Sequence, residues 1–255
     1  MKPAAVLTDL DGTLLEHGGG LGAEARAAIA RLRGLGIPVV PLTSKTEVEL
    51  RTLLAELDSG GVGSFENGAG IVSPSGVALS EKAIPLARLA GHLEELARSA
   101  KLVLTSALAL SVAEIRRITG LPEAKVPAML ARGFGLPFLA PEGAGPALEA
   151  AASGLPGVRL TRGGQFWHLS GDHGKEDALD LLVATGAAAR PFAGFGDAPN
   201  DAGFLARCDV AVLLPRAAGG VDPALAAAVP GARVAPFPTG RGWAAALDEL
   251  LEEEA

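Results

Sequence analysis

Asp9 and Asp11 stand two residues apart at the end of the apolar run Ala4-Ala5-Val6-Leu7-Thr8, and Gly12-Thr13 follows them. In extended chain, residues two apart face the same way, so the pair offers two carboxylates to one substrate, while Gly12 lets the backbone turn sharply behind them. Such a pair suits phosphoryl transfer, with one carboxylate attacking phosphorus and the other handing a proton to the departing oxygen. Calcium loops also open with Asp-x-Asp-Gly, but they need further oxygen ligands and a closing Glu. Here Thr13-Leu14-Leu15 follows and a strand precedes, which excludes that reading.

Three later clusters complete the chemistry. Thr43-Ser44-Lys45 closes the apolar run 37–42, where hydroxyls and backbone N–H groups at a strand-to-helix turn can hold phosphate oxygens, cap the helix, or do both. Lys45 adds a cation for the phosphate or another anionic part of a substrate. Lys175 opens a helix after Gly174 and is placed to reach back to the same pocket. Asp197-Ala198-Pro199-Asn200-Asp201 ends a third apolar run, and acids gathered near Asp9 and Asp11 would repel strongly unless a cation sat among them. The expected mechanism makes Asp9 the nucleophile, which becomes an aspartyl phosphate. Asp11 protonates the leaving alcohol and then activates water. Magnesium, a hard ion that favours oxygen ligands, would sit between Asp9, the backbone carbonyl of Asp11 and Asp197, with Asp201 as a ligand or an orienting group. Thr43, Ser44 and Lys175 would hold phosphoryl oxygens and Asn200 would anchor substrate. No histidine is required, so His17, His92 and His173 are assigned to surface or packing.

These residues must be positioned by alternating strands and helices. Strand-like runs at 4–8, 37–42, 191–196, 210–214 and 233–235 alternate with helical stripes at 23–35, 48–57, 174–179 and 243–251, which gives a Rossmann-like parallel α/β sheet. Phe65 to Val72 carries Asn67-Gly68 between apolar flanks, a hairpin signal that leaves open whether Asn67 also faces the site. From residue 82 the pattern changes to helices at 86–99, 111–119 and 122–131 with strands at 134–139, 158–162 and 165–169. Residues 1–81 and 171–255 are therefore expected to form the catalytic core and 82–170 an inserted α+β cap that selects substrate and gates access.

Composition narrows the partners. With 255 residues, 49% of them hydrophobic, and a net charge of −7, the chain is globular and offers no basic field for nucleic acid. No apolar stretch is long enough for a membrane span and no leader is apparent, so a cytoplasmic protein is expected, as a monomer or homodimer. The single cysteine, Cys208, reads as a small core residue, and Glu252-Glu253-Glu254 as a solvated helix end.

Asp9-Leu10-Asp11-Gly12-Thr13, Thr43-Ser44, Lys175 and Gly196-Asp197-Ala198-Pro199-Asn200-Asp201, in that order, resemble the four motifs of the haloacid dehalogenase superfamily of phosphatases. The long insert between Ser44 and Lys175 falls where that superfamily places its larger cap type. Within it, Thr43-Ser44-Lys45-Thr46, Glu66-Asn67-Gly68-Ala69 and Arg162-Gly163-Gly164-Gln165-Phe166-Trp167-His168-Leu169 resemble the mannosyl-3-phosphoglycerate phosphatase family. That resemblance implies a small phosphorylated sugar or glycoside substrate and release of mannosylglycerate, a compatible solute. The family carries an acid two residues before a Pro-Phe pair, where this chain has Gly135-Leu136-Pro137-Phe138. Arg132, Gln165 and His168 are the cap candidates for a carboxylate or sugar hydroxyls. A sugar phosphatase acting on sucrose, trehalose or hexose phosphates, and a phosphomutase, would share the same core residues. A non-enzymatic sugar-phosphate binding module would require the acids to be inert.

Overall fold

The structure, a computed structural model, describes residues 2–16 and 19–252; His17, Glu253 and Glu254, assigned above to surface roles, lie outside them. The chain divides into two units, one of Met1–Ser44, Leu50–Leu79 and Gly174–Ala255, the other of Lys45–Glu49 and Ser80–His173.

In the first unit, five short strands form a parallel sheet. They are β1 (Ala5–Thr8), β2 (Val39–Pro41), β10 (Phe192–Gly196), β11 (Val210–Leu213) and β12 (Arg233–Val234), ordered β12-β11-β10-β1-β2. Strand alternation explains the two layers around it. Val6 joins one apolar cluster with Ile29 and Leu32 of α1 (Ala23–Gly34) and Trp243 and Leu247 of α10 (Thr239–Glu252). Ala5 and Leu7 join the other, with Leu179 and Leu182 of α7 (Lys175–Ala184), Phe204 of α8 (Ala202–Leu205) and Leu225 of α9 (Pro223–Ala228). Cys208 packs against this second cluster, and burial pushes its thiol up to about 12, as a core residue should behave.

The Asn-Gly hairpin forms between β3 (Gly63–Phe65) and β4 (Gly70–Ser73), and a further strand, β5 (Gly76–Leu79), extends it into an antiparallel meander. Leu42 bridges to Ser64 in parallel, so the residue that follows β2 pairs with the first strand of that meander.

The next helix, α2 (Glu47–Leu57), opens directly after Thr46. The cap is Thr46: its Oγ1 accepts from the Glu49 N–H at 3.2 Å while the Glu49 carboxylate accepts from the Thr46 N–H at 2.9 Å. The signature Thr46-Glu47-Val48-Glu49 is a capping box, and it starts the helix one residue before the apolar stripe at 48–57.

The second unit is a four-stranded antiparallel sheet ordered β6-β7-β9-β8, with β6 Thr105–Ser106, β7 Gly135–Leu139, β8 Val158–Gly163 and β9 Phe166–Gly171. Leu89, Leu93 and Leu96 of α3 (Leu86–Ala100) and Leu148 of α6 (Gly145–Ala152) pack with Phe138, Trp167 and Leu169. A smaller cluster of Ile115, Val126, Met129 and Phe166 gathers α4 (Val112–Thr119) and α5 (Val126–Leu130). The segment 45–49 belongs with this unit: Thr46 Oγ1 donates to the Ala128 carbonyl at 2.8 Å. No described helix is long and apolar enough to cross a membrane.

Candidate active site

Asp9 directly follows β1 and Asp197 directly follows β10, two strands that pair in parallel with Thr8 opposite Phe195. Neighbouring strands run about 4.8 Å apart, so their carboxyl ends deliver both acids to one place, the crevice where open α/β sheets bind ligands. The Asp9 N–H donates to the Phe195 carbonyl at 2.9 Å and fixes that register. Carboxylate oxygens of Asp9, Asp197 and Asp201 lie within 4.8 Å of one another.

Lys175 ties this cluster together. Its Nζ donates to Asp9 at 2.6 Å and to Asp201 at 2.7 Å, with only 1% of its surface exposed. The other oxygen of Asp201 accepts the Asp197 and Ala198 N–H groups, both at 3.0 Å, so this fully buried acid has both oxygens engaged. Thr13 donates to one Asp197 oxygen at 2.8 Å. The sequence alone gives Thr13 no role beyond its place in the motif, although a hydroxyl two residues after the second acid is the signal for this contact.

Gly12 has φ +87°, and a Cβ there would meet Asp197 Oδ2 at 2.5 Å. Only glycine allows the Asp9-Asp11 turn to pass so close to the second carboxylate. Asp11, two residues beyond Asp9, is exposed.

Electrostatics follow from burial. Burial raises the Asp9 carboxyl to about 7, against the pull of Lys175 and reinforced by Asp201. Burial likewise raises Asp197, partly offset by the Thr13 hydrogen bond. Burial opposes the charge on Lys175, but Asp201 and Asp9 outweigh it and hold the ammonium well above its ordinary value. Three clustered acids share one cation. An all-oxygen donor set with surplus negative charge fits a hard divalent ion.

The Thr43 N–H donates to Ser64 O at 3.1 Å and its carbonyl accepts from the Asn67 N–H at 2.8 Å, which seats this buried residue beside the hairpin turn. Ser44, next to it, is exposed. Left-handed backbone at Glu66, Asn67 and Gly68 makes the turn, and a Cβ at Gly68 would collide with the Gly174 carbonyl, so the turn abuts the start of α7. Asn200 Nδ2 approaches Asn67 Oδ1 at 3.5 Å. Asn67 is thus a turn residue that also lies beside Asn200.

Lys45, Arg132, Gln165 and His168 belong to the second unit. Gln165 is exposed at the β8–β9 turn, and His168 lies on β9 opposite Thr161 and Pro137. Burial and the Arg132 charge lower the His168 imidazole from 6.5 to about 4, so it is neutral near pH 7. Of the histidines assigned to packing, His173 is buried and His92 half-buried.

The low His168 value gives a pH-dependent stability. Between about 4 and 6.5 the unfolded chain binds a proton there that the folded chain does not, so stability rises with pH and is lost as pH falls through that window. Denaturant unfolding at neutral pH and near the lower end of that window should show a smaller loss for His168→Gln than for the parent chain; equal losses would remove His168 from this role.

Residues 6–111 match the family model for haloacid dehalogenase-like hydrolases. The chain is 27% identical to a glucosyl-3-phosphoglycerate/mannosyl-3-phosphoglycerate phosphatase of Persephonella marina, over 97% of both chains. It is 26% identical to one so named from Methanococcoides burtonii, over 86% of this chain and 88% of that one. Among solved structures, a haloacid dehalogenase-like hydrolase from Bacteroides thetaiotaomicron shares the fold, with a TM-score of 0.74 at 17% identity, covering 98% of this chain and all of that one. A sugar phosphatase of subclass IIB of the haloacid dehalogenase superfamily does so with a TM-score of 0.70 at 13% identity, covering 98% of each chain.

Proposed function

We propose that this chain, a phosphatase of the haloacid dehalogenase superfamily, removes phosphate from mannosyl-3-phosphoglycerate to give mannosylglycerate, with glucosyl-3-phosphoglycerate as a second substrate of the same class. The observation that carries the chemistry is the buried Asp9 carboxylate, held by Lys175 beside Asp197 at two adjacent strand ends. The substrate reading rests on the motifs at 43–46, 66–69 and 162–169 and on the names of the two relatives.

In this reading an Asp9 oxygen attacks phosphorus, the ester P–O bond breaks, and Asp11 gives its proton to the departing glycerate oxygen. Water then attacks the aspartyl phosphate, Asp11 takes the water proton, and Asp9 leaves as a carboxylate. Thr43, Ser44 and Asn200 hold phosphoryl oxygens, and Lys175 offsets the charge that gathers around Asp9. Asp9, Asp197 and the Asp11 carbonyl would hold Mg²⁺, with Asp201 orienting behind them, and the ion would supply charge neutralisation at the transferring phosphoryl group. Removal of divalent ions by a chelator should abolish phosphate release, and added Mg²⁺ should restore it.

The second unit, in this proposal, selects the substrate. Lys45 and Arg132 pair with phosphoglycerate anions, while neutral His168 and Gln165 serve the sugar hydroxyls, a task that an uncharged imidazole can perform as donor and acceptor. Asn67, on the hairpin turn of the first unit, is a further substrate-binding residue in this reading. The test is phosphate release from mannosyl- and glucosyl-3-phosphoglycerate set beside sucrose, trehalose and hexose phosphates and 3-phosphoglycerate. The two glycosyl-3-phosphoglycerates should give the highest kcat/KM. A higher value for a simple sugar phosphate would overturn the substrate assignment and leave the phosphatase chemistry in place.

A further inference from the structure

The chain beyond Asp9 is folded into a tight turn. The N–H groups of Thr13, Leu14 and Leu15 all donate to the Leu10 carbonyl, at 3.2, 3.0 and 2.8 Å. Asp11 pairs with Leu15, Leu15 pairs with Leu21, and the Glu16 N–H donates to Gly20 O at 2.9 Å. Asp11 therefore sits at one end of a short hydrogen-bonded block and Glu16 at the other.

The Glu16 side chain leaves this block for the start of α10. Its Oε2 accepts from Thr239 Oγ1 at 2.8 Å. The packing around it is close: a Cβ at Gly240 would meet Leu14 O at 2.9 Å and Glu16 Oε1 at 3.2 Å. Thr239 is 5% exposed and has φ +53°. Left-handed backbone is costly for a β-branched residue and persists only where the surroundings over-determine it. Here those surroundings include the glutamate at the far end of the Asp11 turn.

We infer that the Glu16–Thr239 hydrogen bond is a latch that fixes Asp11 for proton transfer, which makes Glu16 and Thr239 positioning residues for the reaction. The inference rests on Asp11 being the acid and base of the proposed mechanism. A loosened Asp11 slows any step that needs it, above all hydrolysis of the aspartyl phosphate. Attack by Asp9 on a phosphate ester with a good leaving group needs little help from an acid, so that step is spared.

The experiment uses p-nitrophenyl phosphate in rapid mixing, with Thr239→Val, Glu16→Gln, Thr239→Ser and Asp11→Asn measured beside the parent chain. Thr239→Val and Glu16→Gln should release a burst of nitrophenol approaching one per active site, followed by turnover about tenfold slower than the parent. Thr239→Ser, which keeps the hydroxyl, should restore parent kinetics. A purely structural role predicts that burst and turnover fall together, or that neither changes, and either result would overturn the latch. Asp11→Asn separates the two ideas. If it shows the burst while Thr239→Val and Glu16→Gln do not, the latch alone fails; if Asp11→Asn turns over normally, the acid–base assignment fails and takes the latch with it.

Discussion

Replacing Asp9 by Asn should lower turnover by at least about a thousandfold while the protein stays folded, because the amide has nearly the same shape but no anionic oxygen to attack phosphorus. The site geometry makes this substitution tolerable for folding. Asp9 is buried and its carboxyl already sits near 7, so an uncharged group there relieves desolvation as it loses the charge that pairs with Lys175, while the amide oxygen can still accept from Nζ. Lys175 keeps Asp201 as a partner at 2.7 Å. Steady-state kinetics with matched thermal unfolding checks both halves. Turnover within tenfold of the parent would remove Asp9 from the nucleophile's place, and loss of folding would show that the carboxylate is chiefly a structural counter-ion.

Lys175→Met should do the opposite and cost both activity and stability. Methionine matches much of the lysine stem, so packing is largely kept, but Asp9 and Asp201 are left buried without their shared cation. Removing one partner from a buried ion group costs roughly 3–5 kcal/mol, since the remaining charge is uncompensated. Adding Asp201→Asn should recover part of that loss, as the double variant leaves one fewer buried charge while the amide oxygen can still accept the N–H groups of Asp197 and Ala198. Denaturant unfolding measures the cycle. A Lys175→Met protein as stable as the parent, or a double variant no better than the single, would contradict the charge account.

The gathering of Asp9 and Asp197 was legible in the sequence because each follows an apolar strand run, and parallel pairing must bring adjacent strand ends together. Lys175 was legible as a helix-opening cation. Its division between Asp9 and Asp201 was not, because both oxygens of Asp201 are committed by a loop geometry that spacing alone does not encode. Thr46 carried a readable capping-box signature, a hydroxyl three residues before Glu49. Helix α6 was not legible because Gly145-Pro146-Ala147-Leu148-Glu149-Ala150-Ala151-Ala152 offers one large apolar residue, so no 3.6-residue stripe forms. Helix α10 begins at Thr239, earlier than the stripe that starts at Trp243, because Thr239-Gly240-Arg241-Gly242 has poor helix propensity and is held by tertiary packing against Leu14 and Glu16. The depressed His168 value depends on burial from a sheet that a single strand cannot reveal.

The most direct measurement traps the reaction before water arrives. Protein mixed with phosphorus-labelled substrate, quenched in acid within one turnover and digested should carry its label on the peptide that contains Asp9. Label on any other residue, or turnover with no labelled peptide at all, would contradict the account.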